Sequence, residues 1–421
     1  MISFNGYLMA YILIYLITVA MKMMISRINA ANLAKYGKTV PADFQGVIDE
    51  AKLEEIVRYT SDNTRFSLVQ KSVTKAIFLV IIISGILPWL VDQLQNMNFI
   101  GAGLIFFAVI GLTEVVAGVP FDYYHTFVIE ERHGFNTKTV KIWILDLIKS
   151  LLVIVFLGGL LLFALLLMLR YTGKYWWVWS WAVFLCFQLL VTLLYPVVIE
   201  PLFNKFTPLE EGALKTDVEQ LVKKEGFKIE GVYQMDATRR TRHTNAYFSG
   251  IGKARRIVLF DSLVESHSRE EILSILAHEI GHMKKNHIKK QLVIAGLVSL
   301  LLFYAASKLM TSRVMYASFG FSHMPYYVGL FLAGILWEPV SFFLSPIGMA
   351  ISRKFEREAD AYSFRVLKRA QPLAGALKKM AKENLSNLMP HPVYVFFNYS
   401  HPPLLERIKF IESLEGPGDR K

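Results

Sequence analysis

The residues His278-Glu279-Ile280-Gly281-His282 set two imidazoles four positions apart with a carboxylate beside the first. On a helix, positions four apart share a face, so both rings can aim a nitrogen at one divalent cation, with Zn2+, one per chain, the expected metal. Glu279 is then placed to take a proton from a metal-held water, the chemistry of peptide-bond hydrolysis. A catalytic zinc takes three protein ligands and leaves one position open. A third histidine six residues after the second is not available, because that position is Ile288. On a continuous helix His287 falls on the side away from His278 and reads as a solvated helix-end residue. Further along, Glu356 and Asp360 share a helical face while Glu358 points away. Glu356 can complete a His-His-Glu set, with Glu358 next in line. Asp360 can accept the second ring proton of a ligand histidine and fix its tautomer.

The element that must carry the motif reads clearly. Ser268 and Glu271 form a capping-box start, and Ile272, Leu273, Ile275, Leu276 and Ile280 recur at helical spacing. Upstream, residues 209–225 read as a helix closed by Gly226, and 229–235 alternate as a strand. Residues 245–250 and 255–260 are β-prone runs joined by Ile251-Gly252-Lys253-Ala254, a hairpin signal. A strand beside a zinc-binding helix can pair with an extended peptide.

These elements sit in an unusually apolar chain. Of 421 residues, 54% are hydrophobic, and mean hydropathy is +0.39, too apolar for an ordinary soluble protein. Seven stretches are long enough to span about 30 Å of hydrocarbon: residues 7–25, 75–93, 99–119, 144–169, 176–199, 291–309 and 327–351. The net charge of +12 is explained by basic loops on the cytoplasmic side of a bilayer, and nucleic-acid binding is not expected. The connections 27–74, 119–143 and 200–290 carry most of the Lys and Arg. This predicts an N-terminus outside or lumenal and a C-terminus in the cytoplasm. The first apolar run has its basic residues, Lys22 and Arg27, after it rather than before, which predicts a retained anchor. One cysteine, Cys186, gives no disulfide framework. The expected division is a membrane region over 1–200, a cytoplasmic protease domain over 201–290, two more spans over 291–351, and a segment over 352–421 that completes the metal site.

Several separated motifs occur in an order that resembles one known family. They are Phe127-Val128-Ile129-Glu130-Glu131 with His133-Gly134-Phe135-Asn136, then Pro201-Leu202-Phe203-Asn204-Lys205-Phe206-Thr207-Pro208-Leu209, then Asn245-Ala246-Tyr247-Phe248-Ser249-Gly250. His278–His282, the Glu356–Asp360 run and Ser400-His401-Pro402-Pro403 complete the set. The chain resembles the integral-membrane CAAX prenyl protease 1 family of zinc metalloproteases.

The resemblance implies an all-α polytopic membrane bundle, seven transmembrane helices around an internal chamber, with a small α+β zinc-protease domain. It implies zinc on His278, His282 and Glu356, Glu279 as general base, and support from Asp360, His401 and Arg407. Asn245, Ala246, Tyr247 and Phe248 are implied to offer backbone to the substrate, a peptide or protein cleaved near a prenylated C-terminus. A polar chamber would house Glu114 and Glu338, which are costly facing lipid. His243 and His401 are the candidate donors to the tetrahedral oxyanion. A quality-control protease of the HtpX type, without a prenyl requirement, shares the chemistry, and a non-catalytic chamber or scaffold protein is the reading from another class. Compact outer connections favour a bacterial inner membrane over an endoplasmic reticulum membrane.

Overall fold

The structure is a computed structural model that describes residues 5–249 and 256–415. Seven helices are long and apolar enough to cross a membrane: Gly6–Tyr36, Glu50–Ile83, Phe99–Glu130, Val140–Tyr171, Gly173–Phe203, His287–Leu309 and Tyr326–Leu367. Each packs on the next in chain order, and the seventh returns to the first, so the spans close a ring. In the most apolar windows of the second, fourth and fifth, only 6% of residues are buried, against 44% in the seventh. A helix in a solid bundle buries a stripe of roughly a quarter or more of its surface. These three spans therefore pack at the periphery of the ring, whereas the seventh is its most enclosed member.

One end of the ring is sealed. Leu8, Ile82, Phe106, Leu166, Tyr316 and Tyr327 meet there in one apolar cluster. Gly103 lets three helices converge, since a Cβ on it would lie 2.8 Å from Leu166 and 3.3 Å from Tyr327. Nearer the middle, Glu338 of the seventh span accepts from Lys75 at 2.5 Å and from Lys22 at 3.3 Å, tying it to the second and first spans. Glu114 lines the same cavity of about 470 Å³ as Lys75 and Glu338. Both carboxylates thus border a cavity within the bundle.

The second span differs from expectation. The helix begins at Glu50, far into what reads as a basic loop, and ends at Ile83. Gly85 takes a left-handed conformation (φ 81°) and starts a separate short helix, Ile86–Gln93. The apolar run 75–93 is continuous in hydropathy, but Ser84-Gly85 breaks it in space.

At the other end of the ring lies a four-stranded sheet: β1 Phe206–Pro208, β2 Gly231–Met235, β3 Ala246–Ser249 and β4 Arg256–Phe260. Its order is β1-β2-β4-β3, with β2 and β4 parallel and the other pairs antiparallel. β3 and β4 pair antiparallel with Ala246 opposite Leu259, as the hairpin signal predicts, and the joining residues 251–254 lie outside the described residues. β1 had no alternation to announce it. The helix over 209–225 starts later, at Ala213, and Gly226 closes it with φ 74°. Val232, Ile257 and Leu259 of the sheet pack with Leu276 and Ile280, and Tyr362 and Ala376 join this core from the far C-terminal side of the last two spans.

Candidate active site

Two helices build the site. The first, Arg269–Lys284, opens with the full capping box: Ser268 accepts from the Glu271 N–H, and Glu271 accepts from the Ser268 N–H at 2.7 Å. It buries Ile272, Leu276 and Ile280 on one side and presents His278 and His282 on another. The second is the end of the seventh span, which continues as one helix of 42 residues to Leu367 and brings Phe355, Glu356, Ala359 and Asp360 to buried positions. Gly281 allows the close crossing of the two. A Cβ there would lie 2.9 Å from the Tyr362 Cβ and 3.0 Å from the Ala359 Cα.

At this crossing His278, His282 and Glu356 converge. The two Nε2 atoms are 3.1 Å apart, His278 Nε2 is 3.4 Å from Glu356 Oε2, and His282 Nε2 is 3.3 Å from Glu356 Oε1. Bonds of about 2.0–2.1 Å to a tetrahedral zinc imply ligand separations of about 3.3 Å. Glu356 Oε2 is buried and accepts no hydrogen bond from the protein. A buried carboxylate with no hydrogen bond on Oε2 and one oxygen toward each imidazole nitrogen is a donor set that fits a divalent cation.

The surrounding groups hold this triangle in place. Asp360, fully buried, lies 2.8 Å from His278 Nδ1. Arg407 donates Nη2–H and Nε–H to the two Asp360 oxygens at 2.6 and 2.9 Å. Burial opposes a charge on His278, yet the Asp360 carboxylate outweighs it, and the imidazole pKa is pushed up to about 9. Burial pushes the Glu279 carboxyl up, against the pull of the two histidines. His401 Nε2 stands 3.3 Å from Glu356 Oε1 on the open side of the site, its side chain 59% exposed. His401 and Arg407 line a cavity of about 430 Å³. That cavity shares Asn384, Asn387 and Tyr399 with a polar cavity of about 650 Å³ between the first three spans. The site therefore opens toward the bundle.

Two expectations are corrected. His287 is neither solvated nor turned away: it is 1% exposed, with Nδ1 3.0 Å from His282 Nδ1. The motif helix stops at Lys284, Asn286 takes a left-handed conformation (φ 54°), and His287 begins the next helix folded back against the first. Asn is the residue other than glycine best suited to such a stop, and Lys284-Lys285-Asn286 was the available signal. His243 lies 3.3 Å from Glu130 and 3.1 Å from Asn384 and stacks on Phe135 at 4.0 Å, so it joins the end of the third span to the sheet region. Its nitrogens are occupied there, which leaves His401 beside the triangle. Of the remaining expected residues, Asn245 is exposed, Ala246 buried, and Tyr247 and Phe248 half-buried along β3, the strand at the sheet edge against which the motif helix packs. The Tyr247 hydroxyl donates to Glu200 at the end of the fifth span.

Residues 208–415 match the profile of peptidase family M48, and residues 29–205 match that of the CAAX prenyl protease N-terminal region with five membrane helices. The chain belongs to peptidase family M48. Relatives of this M48 peptidase include the CAAX prenyl protease 1 homolog of Oryza sativa subsp. japonica, 35% identical over 90% of this chain and 91% of that one. The CAAX prenyl protease 1 of Saccharomyces cerevisiae is 32% identical over 89% of this chain and 88% of its own. The crystal structure of S. mikatae Ste24p superposes with a TM-score of 0.92 at 30% identity, covering 97% of this chain and all of that one. The M48 assignment and the seven spans make the chain a multi-pass membrane metalloprotease.

Proposed function

We propose that this M48 peptidase is a zinc endopeptidase that cleaves near the C-terminus of prenylated CAAX-type proteins or peptides. His278, His282 and Glu356 would hold the zinc, and their mutual separations of 3.1, 3.4 and 3.3 Å are the observation that carries the metalloprotease reading. When bound, zinc supplies Lewis acidity at a carbonyl oxygen and a lowered pKa for water.

The chain's own residues do the rest. The Glu279 carboxylate takes the proton from the attacking water and returns it to the departing amine. Its raised pKa suits it to holding that proton between the two steps. His401, exposed beside Glu356, donates to the oxyanion that develops on the scissile carbonyl. Asp360 fixes the His278 tautomer, and Arg407 fixes Asp360. The free edge of β3, Ala246–Ser249 after Asn245, pairs with the extended substrate backbone. The sheet region and the segment after the seventh span make up the protease part over 201–290 and 352–421. The loop charges put it on the cytoplasmic side with the N-terminus outside. The substrate class rests on the printed names of the relatives and on a site that opens to the bundle interior.

Glu279→Gln tests the mechanism: the purified variant should keep its zinc and lose peptide cleavage, and cleavage at the unaltered rate removes Glu279 as the base. A prenylated peptide compared with its unprenylated twin tests the substrate. Equal kcat/KM for the two would instead support a quality-control protease.

A further inference from the structure

We propose that His287 and Glu358 form a relay that fixes the tautomer and orientation of His282, making both positioning residues for the metal site. The inference rests on the zinc-ligand reading above.

The argument is one of proton positions, assigned from partners. His287 Nε2 lies 3.1 Å from Glu358 Oε2, and a carboxylate accepts only, so the His287 proton sits on Nε2. In the neutral ring His287 Nδ1 is then a bare acceptor. It faces His282 Nδ1 at 3.0 Å, and a hydrogen bond between two ring nitrogens needs one proton, which His282 must supply. With its proton on Nδ1, His282 turns an unprotonated Nε2 to Glu356 and His278, as a metal ligand must. Asp360 does the same to His278 directly, at 2.8 Å.

The helix geometry explains why one histidine needs an intermediary. Glu356 and Asp360 lie on one face of the seventh helix, and Glu358, two residues from each, points off it. Its carboxylate cannot touch the ligand set. The left-handed turn at Asn286 brings a third imidazole into the gap and extends Glu358's reach. The His287 ring is held flat on Phe355, with centroids 4.2 Å apart and 8° between planes, and it is 1% exposed. A ring clamped by stacking, with both nitrogens occupied, has one orientation, and it passes that orientation to His282.

The test uses the full-length protein in detergent, with zinc affinity read by competition against a chromophoric chelator and thermal unfolding measured for loaded and chelator-stripped forms. His287→Phe keeps the stacking with a somewhat bulkier ring and removes both nitrogens. It should weaken zinc binding by about 10- to 100-fold. Stripped protein should lose less stability than loaded protein, so the gap between loaded and stripped forms shrinks. Glu358→Leu, at a partly exposed position that folding tolerates, should weaken zinc binding in the same direction, and the double variant no further than His287→Phe alone. Wild-type zinc affinity in both single variants overturns the relay, as does equal loss of stability in stripped and loaded forms. His282→Ala separates the two readings. If it loses zinc while His287→Phe does not, the relay alone fails; if His282→Ala binds zinc normally, the ligand set and the relay fall together.

Discussion

Gly281→Ala adds one methyl group between the two helices that carry the proposed zinc ligands. Its Cβ would lie 2.9 Å from the Tyr362 Cβ, 3.0 Å from the Ala359 Cα and 3.2 Å from the Ala359 carbonyl oxygen. None of these atoms can rotate away, so ordinary contact of about 3.5–4 Å is restored only if the helices part by roughly 0.5–1 Å. Overpacking of this kind costs about 1–3 kcal/mol. Alanine recovers up to about 1 kcal/mol through helix propensity. The balance is a loss of up to about 2 kcal/mol. The functional effect is larger, because the separations from His278 and His282 to Glu356, 3.4 and 3.3 Å, cross this same interface. The 3.1 Å separation between the histidines lies within one helix and is unaffected. Constellations of this type tolerate about 0.5 Å of displacement. Gly281→Ala should therefore unfold at lower temperature, bind zinc at least about tenfold more weakly and lose activity in proportion. Gly348→Ala is the control, since no heavy atom lies within 4 Å of its added Cβ. Zinc titration and thermal unfolding of both decide the matter. A Gly281→Ala protein as stable as wild type with unchanged zinc affinity would refute the claim that helix spacing sets the ligand geometry.

Arg407→Met leaves Asp360 buried without its bidentate partner and should cost about 3–5 kcal/mol, read by denaturant or thermal unfolding. Arg407→Lys should recover only part of this loss, lacking the fork. Glu338→Gln removes the charged acceptor shared by Lys22 and Lys75 and should lower the unfolding temperature. Zinc loading should release protons. His278 in the stripped site has its pKa pushed up to about 9 by Asp360 against burial, so near pH 7 it holds a proton that the metal displaces. Calorimetry in buffers of different ionisation enthalpy should show about one more proton released at pH 7 than at pH 10, and zinc affinity should fall as pH drops below about 9.

The parts legible from sequence were those written in local spacing. The capping box, the four-residue offset of His278 and His282, the shared face of Glu356 and Asp360 and the apolar spans all follow from helical periodicity. Three features were not legible, each for its own reason. The break at Ser84-Gly85 interrupts no hydropathy, so the second helix was placed too far along the chain. Strand β1 is three residues with no alternation and exists because β2 offers it an edge. The sequence reads His287 on a continuous helix, whereas the left-handed Asn286 interrupts the helix just before it. A single left-handed residue changed a solvated end into a buried contact.

The helix Tyr326–Leu367 has one more consequence. Glu338, tied to two other spans, and Glu356, at the proposed metal triangle, ride on the same helix about 27 Å apart, with Pro339 and Pro346 between them. Over such a lever, a change in tilt of about 1° moves the far end by about 0.5 Å, the tolerance of the site. Packing against neighbouring helices and interfacial anchors set the tilt of spanning helices, and hydrophobic mismatch with the bilayer adds a modest bias. A change in the acyl-chain length of the surrounding lipid should therefore register as a change in zinc affinity at the proposed triangle, because the bilayer bears on the same helix that carries one of its corners.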